Sequence, residues 1–268
     1  MTSINGKYVL LTGGSRGIGP IIAETLAKQG AHIALAARSE DGLRNVVESL
    51  KIFGVQTLIV SVDLAQPLQC QELVSTVMDK FGTIDILINN AGLETEGGYI
   101  RLPWEAIRET IEVNLVAPMY LTHLVLPHML DKKSGHIVNI ASVGAKCGAP
   151  YAATYCATKA GLAEWSQALH LELADTGVQF STIFPGYITE VGMFAKFGLT
   201  APRSIGSCTP AQVANAVIKA IEHNTLDVIV NSLPNRLLFA LRELSPSLGD
   251  WLLYKLGVVD FQRKKVGL

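Results

Sequence analysis

Tyr155 and Lys159 lie four residues apart in a stretch with helical periodicity, so their side chains share one face. A tyrosine hydroxyl alone titrates near pH ~10, too high for acid–base work at neutrality. A neighbouring ammonium stabilises the phenolate and lowers that value. The pair is therefore a sensible proton donor and acceptor, although an amphipathic Tyr beside a solvated Lys has the same spacing. Ser142 follows the apolar run Ile137–Ile140. At the carboxyl end of a strand in an α/β sheet it would stand where ligands bind, able to donate a hydrogen bond to a carbonyl oxygen.

A second chemical feature lies near the start of the chain. The run Thr12-Gly13-Gly14-Ser15-Arg16-Gly17-Ile18-Gly19 joins an apolar strand candidate to a helix candidate. Glycines there allow a tight turn, close approach of a pyrophosphate and close helix–strand packing. The helix N-terminus offers free N–H groups and a favourable dipole. The spacing is G-x-x-x-G-x-G, and an ordinary strand-to-helix turn is the competing reading. Pro20 stands in the first turn, where a missing N–H costs little. The next strand candidate ends Ala37-Arg38-Ser39, with no acid at its end. An acid there would read the ribose 2′-hydroxyl of NAD, whereas an Arg accommodates a 2′-phosphate. With Arg16 as a second cation, NADP(H) is expected over NAD(H), with Arg38 as a merely solvated residue the alternative.

The elements that position these residues can be read from periodicity. Short apolar runs at Tyr8–Leu11, His32–Ala37, Thr57–Val60, Ile84–Asn89, His136–Ile140, Val178–Ile183 and Asp227–Val230 read as strands. Most are continuous rather than alternating, as parallel strands buried on both faces are. Between them, helical periodicity runs through Ile18–Gln29, Asp41–Phe53, Leu68–Phe81, Trp104–Leu130, Tyr151–Thr176 and Ala211–His223. Repeated alternation predicts a parallel sheet with helices on both faces. Without repeat, linker or low-complexity segment, one domain is expected.

Composition narrows the function class. Of 268 residues, 49% are hydrophobic and 17% charged, with a net charge of −1. This excludes a disordered chain and gives no bulk electrostatic pull on nucleic acid. Apolar runs are too short to predict a spanning helix, and no signal peptide is expected before Gly13. Cys70, Cys147, Cys156 and Cys208 form no CxxC pair, and no HExxH is present. Free thiols in a reducing cytoplasm, and no metal site, are the expectations.

Taken together and in order, these residues resemble the short-chain dehydrogenase/reductase family over roughly residues 7–230. Thr12 to Gly19 is similar to its cofactor fingerprint, and Asn89-Asn90-Ala91-Gly92 to its fourth-strand motif. Ser142, thirteen residues before Tyr155, and Asn114 in Val113-Asn114-Leu115 complete a pattern similar to its tetrad with Tyr155 and Lys159. The resemblance implies a Rossmann-like doubly wound parallel sheet of about seven strands, as a single α/β domain with a helical C-terminal tail. It implies reversible hydride transfer between nicotinamide and a carbonyl or secondary alcohol carbon. Tyr155 would protonate the forming alkoxide, Ser142 orient the carbonyl, Lys159 also hold the nicotinamide ribose, and Asn114 anchor a water. Asp63 and the adjacent Leu64 would meet the adenine, and Asn90, Ala91 and Gly92 would line the cofactor site. Pro185, Gly186, Ile188 and Thr189 would lie beside the nicotinamide.

Three departures from the family pattern stand out. Glu190 occupies the place of a frequent threonine, which moves the cofactor contact to Thr189. Ala141 precedes Ser142 where Ser or Gly is frequent. The run Asp227-Val228-Ile229-Val230-Asn231 leads into Ser232-Leu233-Pro234 rather than a glycine-rich ending, favouring a homodimer over the family's tetramer.

On this reading residues 1–232 bind cofactor and catalyse, with a substrate lid at 187–210, and residues 233–268 form the helical tail of the same domain. The lid carries Val191, Met193, Phe194, Phe197 and Leu199, which fit either a closing apolar loop or a packed surface helix. An apolar ketone or alcohol is the expected substrate, with Cys147, Tyr151 and Thr154 as candidate pocket residues. The tail, rich in Leu with Trp251, Tyr254 and basic residues including Arg263-Lys264-Lys265, has two readings. It covers the substrate mouth or a dimer surface, or it lies in a membrane interface. The leading expectation is a cytoplasmic NADP(H)-dependent carbonyl reductase or alcohol dehydrogenase. A 3-oxoacyl thioester reductase and a non-catalytic NADP(H)-binding regulator are the alternatives.

Overall fold

The computed structural model describes residues 2–202, 204–232 and 236–268. Leu233 and Pro234, the expected start of the tail and its first break, lie outside the described residues, as does Asn235. Seven parallel strands make the main sheet: β1 (Tyr8–Thr12), β2 (His32–Ala37), β3 (Thr57–Ser61), β4 (Ile86–Asn89), β5 (Gly135–Ile140), β6 (Val178–Pro185) and β9 (Asp227–Val230). Their order is β3-β2-β1-β4-β5-β6-β9. A small parallel pair, β7 (Tyr187–Ile188) and β8 (Ser207–Cys208), stands apart.

The apolar strands read as continuous because both faces are covered. All residues of β4 and β5 are buried. On one face α1 (Gly19–Lys28), α2 (Glu40–Leu50) and α8 (Pro210–His223) supply Ile22, Leu26, Leu43, Val213 and Val217 to the core. On the other, α3 (Pro67–Phe81) and α5 (Ala117–Asp131) supply Leu73, Val77, Leu121, Val125 and Met129. Each such side chain, fully buried, stabilises by about 1.5–3 kcal/mol relative to exposure. α6 (Ala153–Glu172) packs on β5 and β6.

Several expected boundaries shift for local reasons. The strand expected from Ile84 begins at Ile86. Asp85 is held by Tyr8, whose backbone N–H donates to its carboxylate at 3.0 Å. Tyr151 has φ +67°, which a helix excludes, so α6 starts at Ala153. The long helical stretch expected from Trp104 is α4 (Trp104–Ile111), a π-helical turn at Glu112–Val116, and then α5. Such turns recur at functional sites, and this one carries Asn114. By length and composition the run Trp104–Asp131 could cross a membrane, contrary to the expectation of no such helix. Here Leu121, Val125 and Met129 are at most 2% exposed and pack against the sheet.

Beyond β6 the chain forms α7 (Gly192–Ala195), and after β9 the helices α9 (Arg236–Leu244), α10 (Pro246–Lys255) and α11 (Val258–Lys265). α9 and α10 cross closely where Gly249 meets Arg242.

Candidate active site

Strand order reverses between β1 and β4, which opens a crevice at their carboxyl ends. The glycine loop leaves β1 there. Gly13 and Gly17 have φ of +66° and +67°, a region that favours glycine. A Cβ on Gly19 would lie 2.1 Å from the Gly13 carbonyl oxygen, so α1 approaches the loop more closely than any side chain allows. No side chain caps α1. Pro20 has no N–H, and the Ile21 and Ile22 N–H groups donate to the Ile18 carbonyl at 3.1 and 2.9 Å, so an anion here would be held by the positive end of the helix and the Gly19 N–H.

Thr12 fastens this loop to the next one. Its hydroxyl accepts from the N–H groups of Asn90 (3.0 Å) and Ala91 (3.1 Å) and donates to the Ile88 carbonyl (3.2 Å). The Asn90 amide donates back to the carbonyls of Thr12 (2.9 Å) and Gly13 (3.2 Å).

A cleft of about 800 Å³ opens over these loops. Of the expected cofactor residues, Gly13, Ser15, Arg16, Gly17, Ile18, Arg38, Ser39, Asp63, Leu64, Asn90, Ala91, Gly92, Pro185, Gly186 and Ile188 line it. Thr12, Gly14 and Gly19 lie behind the lining and shape the loop. Thr189 does not line the cleft; its hydroxyl faces the Cys208 carbonyl at 3.4 Å. Glu190, at φ +70°, lines it instead. Arg38 pairs with Glu109 at 3.0 Å, both side chains being about half exposed, and Ser39 also caps α2.

The tetrad residues come together at the other end. Ser142, Tyr155 and Lys159 line the cleft, and the Ser142 hydroxyl accepts from the Gly144 N–H at 3.1 Å. Lys159 is buried and its Nζ donates to the Ile140 carbonyl at 2.8 Å. Burial lowers its titration to about 8. Asn114 is fully buried and clamps Leu93 through both backbone groups: Leu93 N–H donates to it at 2.7 Å, and its amide donates to Leu93 C=O at 2.8 Å. A second bond from the same amide reaches Thr158 at 3.2 Å.

Tyr155 departs from its expected titration. Its hydroxyl is held above the ordinary tyrosine value, by burial first and then by the Glu94 carboxylate; the neighbouring Ser142 hydroxyl acts in the opposite direction. Lys159 does not reverse this, because its Nζ is engaged by Ile140 and lies 5.9 Å from the Tyr155 ring centroid.

Sequence reasoning missed part of the substrate wall. Glu94, Gln262 and Lys265 line the cleft, with Leu238, Phe239, Leu253, Leu256 and Val258 of the tail. Tail residues thus form part of the cleft wall next to Ser142 and Tyr155. Lys265 belongs to a basic run that reads as solvated, yet it is buried against Glu94 and Glu96. The only sequence signal was two acids directly after the Asn-Asn-Ala-Gly motif. Of the candidate pocket residues, Cys147 lines the cleft; Tyr151 and Thr154 do not. From the lid, Val191, Met193 and Phe194 line it, while Phe197 and Leu199 do not. Among the described residues no group of three His, Cys, Asp or Glu could hold a metal.

The family profile described as short chain dehydrogenase matches residues 7–200. The chain belongs to the short-chain dehydrogenase/reductase family. This short-chain dehydrogenase/reductase is 41% identical over 270 residues to the ketoacyl reductase HetN of Nostoc sp., covering 99% of this chain and 94% of that one. It is 35% identical over 183 residues to the 3-oxoacyl-[acyl-carrier-protein] reductase FabG of Staphylococcus epidermidis, covering 68% and 75%. Among solved structures it is similar to a variant of actinorhodin polyketide ketoreductase with NADPH, at TM-score 0.79 and 30% identity, over 88% and 98% of the chains. It is also similar to an alcohol dehydrogenase of Thermococcus sibiricus complexed with 5-hydroxy-NADP, at TM-score 0.76 and 27% identity, over 85% and 97%. The enzyme is an oxidoreductase acting on a C=O/CH–OH pair with a nicotinamide cofactor.

The residues present fit that cofactor. The glycine-shaped loop brings the backbone and the N-terminal end of α1, uncapped by any side chain, to where a pyrophosphate would lie. Asp63 and Leu64, just after β3, line the same cleft and would meet the adenine; Lys159, whose Nζ lies 3.6 Å from where a Cβ on Gly92 would be, would meet the nicotinamide ribose.

Proposed function

We propose that the enzyme interconverts the ketone and secondary alcohol of an apolar substrate, using NADP(H) in preference to NAD(H). The observation that carries this reading is that Ser142, Tyr155 and Lys159 line one cleft together with the apolar tail residues Leu238, Phe239, Leu253 and Leu256. Bound NADPH supplies the hydride. The chain's residues do the rest: Ser142 orients the carbonyl, Tyr155 gives its proton to the carbonyl oxygen, and Lys159 holds positive charge beneath both. Asn114 acts here by fixing Leu93, which sets the wall beside the reacting carbon. The cofactor preference rests on Arg16 and Arg38 in the lining and the absence of an acid at the end of β2. Glu109 does not block this, because exposed ion pairs contribute only about 0–1 kcal/mol and exchange readily for a phosphate.

Within this class a 3-oxoacyl compound is favoured as substrate by the names of the relatives. The test measures NADPH and NADH affinity, then turnover on a panel of aliphatic ketones, 3-oxoacyl thioesters and secondary alcohols. Equal or better use of NADH would remove the arginine reading. A full panel without turnover would remove the reductase reading.

The chain is further proposed to act in the cytoplasm as a homodimer, and to touch a membrane surface through residues 235–268. Its four cysteines are free. Leu237, Leu244, Leu248, Trp251 and Tyr254 are exposed on α9 and α10, with Lys255 beside Trp251. That composition suits a headgroup interface. Light scattering at micromolar concentration tests the dimer.

A further inference from the structure

The most unusual charged group lies outside the tetrad. Lys265, on the last turn of α11, has a side chain only 2% exposed. Its Nζ lies 2.9 Å from Glu94 and 2.5 Å from Glu96. The same ammonium stands 4.8 Å from the Phe197 ring centroid, 5.8 Å from Tyr187 and 5.9 Å from Phe194. Four residues earlier, Phe261 meets Tyr187 edge-on at 5.3 Å. A buried ammonium is tolerated only where carboxylates and ring faces replace its water.

These partners come from three separate parts of the chain. Glu94 and Glu96 follow Leu93, which Asn114 fixes. Tyr187, Phe194 and Phe197 belong to the lid. Lys265 and Phe261 belong to the tail, whose inner face carries Leu238, Phe239, Leu253 and Leu256 into the cleft. No other charged side chain joins tail, lid and catalytic wall among the ion pairs of the described residues.

We propose that Lys265 is a positioning residue that latches tail and lid into one cover, so that the apolar half of the cleft is formed only when the latch is engaged. This rests on the reading of the cleft as an apolar carbonyl site. The glycine loop, Arg38 and Asp63 lie on other elements, and the lid meets the cofactor lining only around Ile188–Gly192, so most of the cofactor affinity is expected to survive loss of the latch. The latch therefore acts on substrate affinity and on preference for long apolar chains.

Lys265→Met keeps the stem and removes the charge, and Lys265→Arg restores a cation. The full-length enzyme and both variants are compared for NADPH affinity, for KM and kcat on a long-chain and a short-chain ketone, and for hydrogen exchange. Lys265→Met is expected to raise KM for the long-chain ketone at least tenfold, with smaller effects on the short one and NADPH affinity within twofold. Lys265→Arg is expected to recover most of the loss. Exchange is expected to quicken together in residues 187–197 and 236–265. An unchanged KM preference, or faster exchange confined to α11, would overturn the proposal. If the parent enzyme reduces no ketone, the reductase reading fails, and the exchange pattern still decides whether tail and lid are one body.

Discussion

Thr12→Val removes a hydroxyl that holds two loops together. Thr12 is 1% exposed, and its oxygen accepts from Asn90 N–H and Ala91 N–H while its hydrogen serves the Ile88 carbonyl. Asn90 N–H retains a second acceptor in Ile88 at 3.1 Å, whereas Ala91 N–H has no other partner among the described residues. A buried group left unsatisfied costs about 1–3 kcal/mol, and the weakened Asn90 and Ile88 contacts add roughly 1 kcal/mol. The expected destabilisation is about 2–4 kcal/mol, a fall in Tm of about 4–8 °C for a chain of this size. Thr12→Ser keeps the oxygen, deletes one methyl and is expected to cost about 1 kcal/mol. Denaturant melts and NADPH titration of both variants check this. If Thr12→Val lost NADPH affinity with unchanged stability, Thr12 would be touching cofactor directly. If neither changed, the reading of the hydroxyl as a fastener would be wrong.

Tyr155→Phe is expected to retain NADPH affinity within about twofold and to lose two or more orders of magnitude in kcat, the usual scale for a general acid; normal turnover would remove Tyr155 from proton transfer. The pH profile of ketone reduction is expected to fall as pH rises through about 8. There Lys159, depressed by burial, loses its charge, while Glu96 is raised by burial and by Glu94 and held down by Lys265. The stability linkages of these two groups have opposite signs. The contribution of Glu96 is present below its ordinary 4.5 and lost as pH rises through about 8. That of Lys159 is present above its ordinary 10.5 and lost as pH falls through about 8. Activity should therefore fall across pH 8 without a matching cooperative loss of Tm; a parallel loss would assign the limb to unfolding. Glu109→Gln is expected to free Arg38 and strengthen NADPH binding up to about fivefold at low salt, the scale of one exposed pair, with NADH unaffected. Flotation with anionic liposomes is expected to carry the full chain upward, whereas the chain lacking residues 235–268 stays in solution; both staying in solution would end the membrane reading.

The sheet was legible because its central strands are buried on both faces, as β4 and β5 are along their whole length, and so carry mostly apolar runs. The loop Thr12 to Gly19 was legible because close backbone packing admits only glycine at particular places, as Gly19 against Gly13 shows. Tyr155 and Lys159 share a helix, so local spacing sufficed to pair them. The raised titration of Tyr155 was not legible, since it depends on burial first and then on Glu94, a residue outside the motif. Lys265 could not be placed at all. Its partners are 171 and 169 residues away, and a lysine in a basic run gives no local sign of burial. Thr189 was misplaced toward the cleft because a parallel pairing of Tyr187–Ile188 with Ser207–Cys208 turns the next hydroxyl toward Cys208.

The bond between Asn90 and Thr12 joins residues 78 positions apart. β1 first has β2 as a neighbour close in sequence, whereas β4 must be brought to its other side across a long loop. Loop closure of that length is slow to repay its entropy. The phosphate cradle is therefore finished only when the centre of the sheet is, and a chain emerging from the ribosome would not hold a dinucleotide until well after β1 and α1 had formed. Cofactor capture during refolding is thus a clock for the pairing of β1 with β4, distinct from the early appearance of helical signal.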